Sequence, residues 1–555
     1  MSTATKTFSI LAADKLAKEG LDWIESQPDA TLADHAGIDE KQLAEIIGQH
    51  DAVIVRSGVN ITAEVLRNPG SLKVIARAGV GVDNIDLAAA TEKGILVVNT
   101  AEASTLTTAE HAFALLLATA RQIGPACKTL AAGGWDRSKF KGRQLAGKTL
   151  GVVGFGRIGQ AVAERALAFE MDVLAFDPFL NAETAMDGRV KVIRDFKDLV
   201  PKVDMITFHV PLNDHTRGML NLEVMKTARP HLIVINAARG GVVDENDLVT
   251  ALDEGIIAAA GFDVFTTEPP AADHPLRDHP KALVTPHLGA STVEAQQAVS
   301  IDAAKSALAY LRGEGIKGAV NAGGIRVDLS PIQAAYADLI DRMASLIGPM
   351  ITRGICNVTL ELRGSELTSA ASTLERTALT RLLGDRLDSP VNLINVSALA
   401  RDRSITCKTV TSEVDTPGGT QATLVVEGPR DAVDTATHPD DLTRRIVGRV
   451  YDDLRPRVVE INGYHMDMIP RGDMILLQNE DRPGMIGMVG SVMGEAGINI
   501  ADMTISRRAS SEGNVTALML LKVDAAPEPK VLEQVSTCAG ILKAAAVKLP
   551  SITAG

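Results

Sequence analysis

The stretch TLGVVGFGRIGQAVAERALAFEMDVLAFD, residues 149 to 177, leaves this part of the chain few folds to choose from. A short apolar run ends in Gly154, Gly156 and Gly159, a G-x-G-x-x-G spacing, and opens directly into a helical pattern. In a chain with 47 glycines that spacing recurs by chance. The strand before it and the helix after it give it meaning. Gly154 permits a tight turn, Gly156 lets the backbone approach a pyrophosphate, and Gly159 lets the helix pack on the strand. The N-terminal end of that helix then faces negative charge. Eighteen residues after Gly159, Asp177 closes the strand DVLAF, placed to accept two ribose hydroxyls and to repel a 2′-phosphate. That favours NAD over NADP. Arg157, between the glycines, lies either on the pyrophosphate or in solvent.

Short β-branched runs alternate with helical patterns through the first 320 or so residues: FSILAA, DAVIVRS, LKVIARAG and ILVVNT, then KTLGVVGFG, VLAFD, MITFHVPL, LIVINAA, AAAGFDVF and ALVTPHL. This predicts an α/β protein built from βαβ units with two parallel sheets. A long helical pattern, ASTLTTAEHAFALLLATARQI, connects the two series, and VEAQQAVSIDAAKSALAYLRG follows the second. The glycines and proline of NAGGIRVDLSP mark a hinge or linker. Beyond it NVTLELRG and GTQATLVVEG predict mixed α/β with exposed sheet faces. The last 85 or so residues read strand, turn, helix, strand, strand, helix, with a final short strand at AAVKLPS: a βαββαβ sandwich.

Composition narrows the function. A chain of 555 residues exceeds one hydrophobic core. A formal charge of −13 disfavours non-specific binding to nucleic acid or an anionic membrane, yet leaves room for a local basic pocket. The four cysteines show no metal-binding spacing, so no metal is expected and a reducing compartment is. No apolar run approaches the ~20 residues of a membrane span. MSTATKTFSI has no signal-peptide pattern, and a cytoplasmic location is the expectation.

A nicotinamide cofactor carries hydride, so the protein must supply a proton acceptor and a clamp for the substrate. Three strand ends offer them: Arg239 in INAARGGVVDE, Glu268 in GFDVFTTEPP and His287 in TPHLGAST. An imidazole with an ordinary pKa of about 6.5 takes a hydroxyl proton near neutrality. Glu268 is suited to orient it and to stabilise its protonated form. Arg239 is suited to grip a carboxylate.

Arg, Glu and His in that order, each closing a strand downstream of the glycine loop, resemble the D-2-hydroxyacid dehydrogenase family. RAGVGVDNID (residues 77 to 86), SGVNITAEVL, NAARGGVVDE, GFDVFTTEPP and TPHLGAST resemble its long-form branch, which oxidises 3-phosphoglycerate. The resemblance implies a Rossmann-type nucleotide domain (102–291) inserted in a flavodoxin-like substrate domain (1–101 and 292–322), an α/β intervening domain (325–468) and a C-terminal ACT domain (471–553). It assigns the substrate carboxylate and carbonyl to Arg239 and the backbone of Ala78 and Gly79, and the substrate phosphate to Arg56 and Ser57, with Asn84 nearby. Its cofactor contacts are Gly154, Gly156, Arg157, Ile158, Gly159, Asp177, Pro211, Ala237 and Asp263. Many relatives carry threonine where this chain has Val80 or Val210, which removes a side-chain hydrogen bond. Arg56 also has a plainer reading as an ordinary strand-end arginine. The basic WDRSKFKGR (Arg137, Lys139, Arg143) is a solvated loop or an arm reaching a neighbouring active site.

NEDRPGMIGMVGSVMGEAGINIADM resembles the ACT domain, which takes amino acids at interfaces between its copies. By position Asn479, Asp481 and Asn499 would receive an effector, L-serine in this branch, although relatives often carry histidine or tyrosine at the place of Asn479. A tetramer is implied. Two other functions fit the same fold: reduction of another 2-oxo acid such as glyoxylate or hydroxypyruvate, and NAD(H)-sensing assembly without catalysis, as in corepressor-like relatives. Arg56 and the long C-terminal extension disfavour the first, and the ACT-like tail and acidic balance the second.

Overall fold

The computed structural model describes residues 7–326, 328–351, 354–384, 386–387, 390–414, 419–429, 443–509 and 515–550. Val327 of the linker, residues 1–6 and residues 551–553 of the expected domain bounds lie outside them.

The first sheet is parallel and has five strands: β1 (Phe8–Ala12), β2 (Ala30–Asp34), β3 (Ala52–Val55), β4 (Val74–Arg77) and β5 (Leu96–Asn99), in the order β2-β1-β3-β4-β5. Its central strands are buried on both faces, which is why they read as unbroken apolar runs. The chain then crosses into helix α1 (Thr105–Ala120), whose Ala112, Leu115 and Leu116 pack into the core of a second sheet.

That sheet comprises β6 (Thr149–Val153), β7 (Asp172–Phe176), β8 (Thr184–Ala185), β9 (Val190–Val192), β10 (Met205–Phe208), β11 (Ile233–Asn236), β12 (Ala259–Phe262) and β13 (Ala282–Val284). Its order, β13-β12-β11-β10-β6-β7-β9-β8, winds outward from β6 in one direction and then restarts at β10 in the other. The crevice between β6 and β10 is therefore a topological switch point, where open α/β sheets take their ligands. Helix α2 (Arg157–Ala168) begins in that crevice. Helix α3 (Val293–Arg312) returns the chain to the first sheet, with Thr292 capping its start through Ala295 N and Gly313 at φ +76° closing it. Its Ala303, Ala304, Ala307 and Leu308 join that sheet's core.

The segment read as a hinge or linker is tied down. Arg326 N donates to Thr373 Oγ1 (2.8 Å), and Arg376 Nη2 donates to Gly323 O (3.1 Å). Helices α4 (Pro331–Ile347), opened by a Ser330–Gln333 capping box, and α5 (Ala371–Gly384) cover one face of a third sheet. Its strands are β14 (Asn357–Arg363), β15 (Thr406–Ser412), β16 (Gln421–Glu427), β17 (Thr443–Val450), β18 (Pro456–Ile461) and β19 (Tyr464–Met468).

The last sheet has the order β21-β22-β20-β23, from β20 (Gly472–Glu480), β21 (Ile500–Ala509), β22 (Val515–Val523) and β23 (Ile541–Leu549). Helices α6 (Met485–Glu495) and α7 (Pro529–Thr537) complete a βαββαβ unit. The final strand starts earlier than the AAVKLPS expected for it, because Ile541 to Ala544 already pair with β20. One sheet face packs on α6 and α7, while Met474, Leu476, Leu518 and Leu520 on the other join the core of the third sheet. Arg342, buried on α4, donates to the carbonyls of Pro470 (2.8 Å) and Pro550 (2.6 Å), pinning both ends of this unit. Among the described residues no helix is long and apolar enough to cross a membrane.

The glycine loop is tightly packed. A Cβ on Gly159 would overlap the carbonyl oxygen of Gly154. Gly159→Ala is expected to cost about 1–3 kcal/mol, the usual penalty of overpacking, and to lower the melting temperature. Calorimetry of the variant checks this, and an unchanged melting curve contradicts it.

Candidate active site

Six parallel strands of the second sheet end on one edge, and the residues just beyond them build the site. Beyond β6, Gly154 adopts φ +89°, and a Cβ there would strike His209 O beyond β10. The space over Gly156 is open, so a pyrophosphate can lie on its backbone, where any side chain would intrude. Gly156 N-caps α2, whose first residues are Arg157 and Ile158. Beyond β7, Asp177 accepts hydrogen bonds from Phe155 N (2.8 Å) and Phe179 N (2.9 Å), one on each oxygen, and keeps lone pairs for ribose hydroxyls. These features fit a dinucleotide. Pro211 is exposed and Ala237 buried at the ends beyond β10 and β11. Arg157 pairs with Glu102 (2.7 Å), which also meets Lys317 (3.3 Å).

Beyond β12 and β13 the acid and the imidazole meet. His287 Nδ1 lies 2.6 Å from Glu268 Oε2, which leaves Nε2 as the free ring nitrogen. Burial pushes the Glu268 carboxyl up, but bonds from His287 and from Phe265 N outweigh it and hold the group below the usual carboxylate range. His287 has φ +53°, rare for a non-glycine residue. Asp263, expected among the cofactor contacts, is fully buried, and both its oxygens are engaged by Thr285, Leu288, Gly289 and His111. It supports the turn under His287.

Beyond β11, Arg239 reaches the first lobe. Its Nε contacts Asp83 Oδ2 at 3.0 Å, and a Cβ on Gly81 would overlap its guanidinium. On the other side of the same loop, a Cβ on Gly79 would overlap the Arg77 guanidinium. The glycines of RAGVGVDNID are thus there to let the chain pass between two arginines. Burial, then the neighbouring Arg239 and Arg56, pull the Arg77 pKa down to about 10, and its Nε is buried without a hydrogen-bond partner. Arg56, Arg77 and Arg239 converge as a site for anionic groups. Arg77 is the residue the sequence reading passed over, although it closes β4 as Arg56 follows β3.

A cleft of about 490 Å³ on the first lobe is lined by Glu19 and Arg56 on one wall and by Ser291, Thr292 and Val293, just past His287, on the other. Ser57 is exposed, and Ala78 and Gly79 are buried beside Arg77. Asn84 spends its amide on the carbonyls of Arg56 (2.7 Å) and Val59 (2.6 Å), so it shapes the loop behind Arg56. Arg137, Lys139 and Arg143 stand exposed, away from these contacts.

In the last sheet the three effector candidates do not meet. Asn479 is buried near one end of the β20–β22 ladder, opposite Ala517, and Asp481 beside it pairs with Arg507 (3.1 Å). Asn499 bonds Asp524 (2.8 Å) at the other end, roughly 20 Å away at about 3.3 Å per residue.

Three family profiles match in chain order: "D-isomer specific 2-hydroxyacid dehydrogenase, NAD binding domain" over residues 113–289, "D-3-phosphoglycerate dehydrogenase intervening domain" over 333–462, and "ACT domain" over 474–540. D-3-phosphoglycerate dehydrogenase of Methanocaldococcus jannaschii is 36% identical over 541 residues, 97% of this chain and 99% of that one. The Bacillus subtilis enzyme of the same name is 34% identical, over 98% and 100%. Among solved structures, TT0316 from Thermus thermophilus matches with TM-score 0.52 and 34% identity, covering 56% of this chain and 99% of that one. A glyoxylate reductase from Paecilomyes thermophila matches with TM-score 0.52 and 28% identity, over 57% and 98%.

Glu268→Gln removes the charge facing the imidazole and is expected to lower turnover about 10²-fold. Because the Glu268 pKa is depressed on folding, the stability it contributes is full above its ordinary 4.5 and lost as the pH falls through the lower folded value. Thermal midpoints measured from pH 7 to pH 3 should fall less steeply in the variant, and parallel curves would contradict the pairing.

Proposed function

Because the chain belongs to the D-3-phosphoglycerate dehydrogenase family, we propose that it oxidises 3-phospho-D-glycerate to 3-phosphohydroxypyruvate with NAD, the opening step of the phosphorylated route to L-serine. The observation that carries this reading is the convergence of Arg56, Arg77 and Arg239 around the loop of residues 77 to 86, in a chain that also forms the Glu268–His287 pair. A substrate with a carboxylate at one end and a phosphate at the other needs more than one guanidinium. A glyoxylate-sized acid does not. Arg239, close to the second sheet's edge, takes the carboxylate and the carbinol oxygen beside it. Arg56, Ser57 and Arg77, in the first lobe, take the phosphate.

NAD, when bound, supplies the hydride acceptor. His287 receives the carbinol proton at Nε2, and Glu268, hydrogen-bonded to Nδ1, keeps that nitrogen protonated and offsets the charge the ring acquires. Gly154, Gly156, Ile158, Gly159, Pro211 and Ala237 form the cofactor wall, and Asp177 selects the unphosphorylated ribose. Arg157 would exchange Glu102 for the pyrophosphate. The ACT unit supports regulation by an amino acid, with L-serine as the effector held by Asn479, Asp481 and Asn499 from more than one copy, in a tetramer. The domain bounds expected from the sequence, and a cytoplasmic setting suited to its free thiols, belong to the same reading.

His287→Ala is expected to lower turnover about 10²–10⁴-fold, the share usual for acid–base catalysis, with NAD affinity retained. Arg77→Met is expected to raise KM for 3-phosphoglycerate more than tenfold, about the worth of one charged hydrogen bond, and to spare an unphosphorylated 2-hydroxy acid. Following NADH absorbance with each substrate, with and without L-serine, checks both. Equal rates on the two acids would defeat the phosphate assignment, and a flat serine titration the effector.

A further inference from the structure

His111 lies on α1, outside every motif that marks the site, yet its Nε2 is 3.1 Å from Asp263 Oδ1. Asp263 is fully buried, and the donors it collects bracket the catalytic imidazole. Thr285 Oγ1 (2.6 Å) and Leu288 N (2.7 Å) reach Oδ1, Gly289 N (2.8 Å) reaches Oδ2, and His287 N (2.9 Å) reaches the Asp263 carbonyl. Residues on both sides of His287 therefore hang from one aspartate. That is how a histidine holds φ +53° without glycine's freedom. Apart from Asp263's own neighbours in the turn, the carboxylate is anchored by a group from a different helix. A carboxylate only accepts, so His111 Nε2 must carry the proton in this contact. Thr285 Oγ1 also lies 3.3 Å from the same nitrogen, closing a small part-buried network around the carboxylate.

We propose that His111 is a positioning residue for the oxidation, resting on the assignment of His287 as the proton acceptor. It fixes the Asp263 carboxylate against α1, and through Asp263 the backbone that aims His287 at the substrate. His111 touches neither the Glu268–His287 pair nor the arginine cluster. Its loss therefore shifts the imidazole without removing a binding contact, so turnover falls while Michaelis constants stay. A displacement of the order of an ångström costs about 10²-fold in rate.

The test is steady-state kinetics of the full chain carrying His111→Leu, His111→Gln, Asp263→Asn, and His111→Leu with Asp263→Asn. Leucine keeps the bulk and loses the donor, and is expected to lower kcat about 10–100-fold with KM for NAD and substrate changed less than about threefold. Glutamine offers Asp263 an N–H donor and is expected to restore kcat to within about fivefold of the unaltered chain. The double variant is expected to be no slower than the slower single, because both act through one contact. A leucine variant with unaltered kcat overturns the proposal. So does a glutamine variant as slow as the leucine one, or losses that multiply in the double variant. Should the leucine protein fail to fold, His111→Asn, whose amide falls short of Asp263, takes its place in the same comparison. The unaltered chain's activity tests the substrate assignment separately, since the ratios can be read on whichever 2-hydroxy acid it turns over.

Discussion

A parallel sheet delivers all its strands to one edge, and nearly everything functional in this protein depends on that. Within β6, β7 and β10 to β12 the backbone groups are committed to the ladder. The first residues past each strand are where free N–H groups and side chains can face one space. Gly154, Asp177, Arg239, Asp263, Glu268 and His287 all stand there, although more than a hundred residues separate the first from the last. The arrangement has a conformational cost, seen in the left-handed backbone of His287. The bonds that Asp263 collects from the turn offset it.

The arginine cluster depends on charge. Burial first, and then repulsion from Arg239 and Arg56, depress the pKa of Arg77. Asp83 and Asp14 temper the cluster: the first bonds Arg239, and the second takes the backbone N–H of Arg56 and Gly58. A bound substrate carrying both a carboxylate and a phosphate would relieve the repulsion more fully than either. The overall acidity of the chain does not conflict with this, since Arg56 and Arg239 stand close enough to Arg77 to act on its charge.

The C-terminal half is joined to this machinery by contacts. Asn392 Nδ2 donates to Gly94 O (2.9 Å), past the helix Leu87–Glu92 that follows the RAGVGVDNID loop, and Ile394 lies in the first lobe's core. Arg342 and the shared apolar face hold the last unit on the third domain. Asn479 and Asn499 lie at opposite ends of their sheet, so a site using both draws on a second copy.

Periodicity and turn chemistry made the architecture legible. The βαβ alternation, the glycine loop in its strand–helix context and the βαββαβ tail are local signals, set by spacing and by residues that tolerate few other conformations. The Arg239, Glu268 and His287 set was legible for the same reason, because a charged residue just past an apolar strand sits on the sheet's working edge whichever strands are neighbours. The Arg157–Glu102 pair, the buried support from Asp263 and its link to His111 were not legible, and neither was the place of Arg77 in the cluster. Each depends on which surfaces close on which across long stretches of chain. Sequence alone determined which elements form and which chemical groups they carry. Tertiary packing decided which of those groups are charged, strained or held, because burial and proximity are properties of the closed fold.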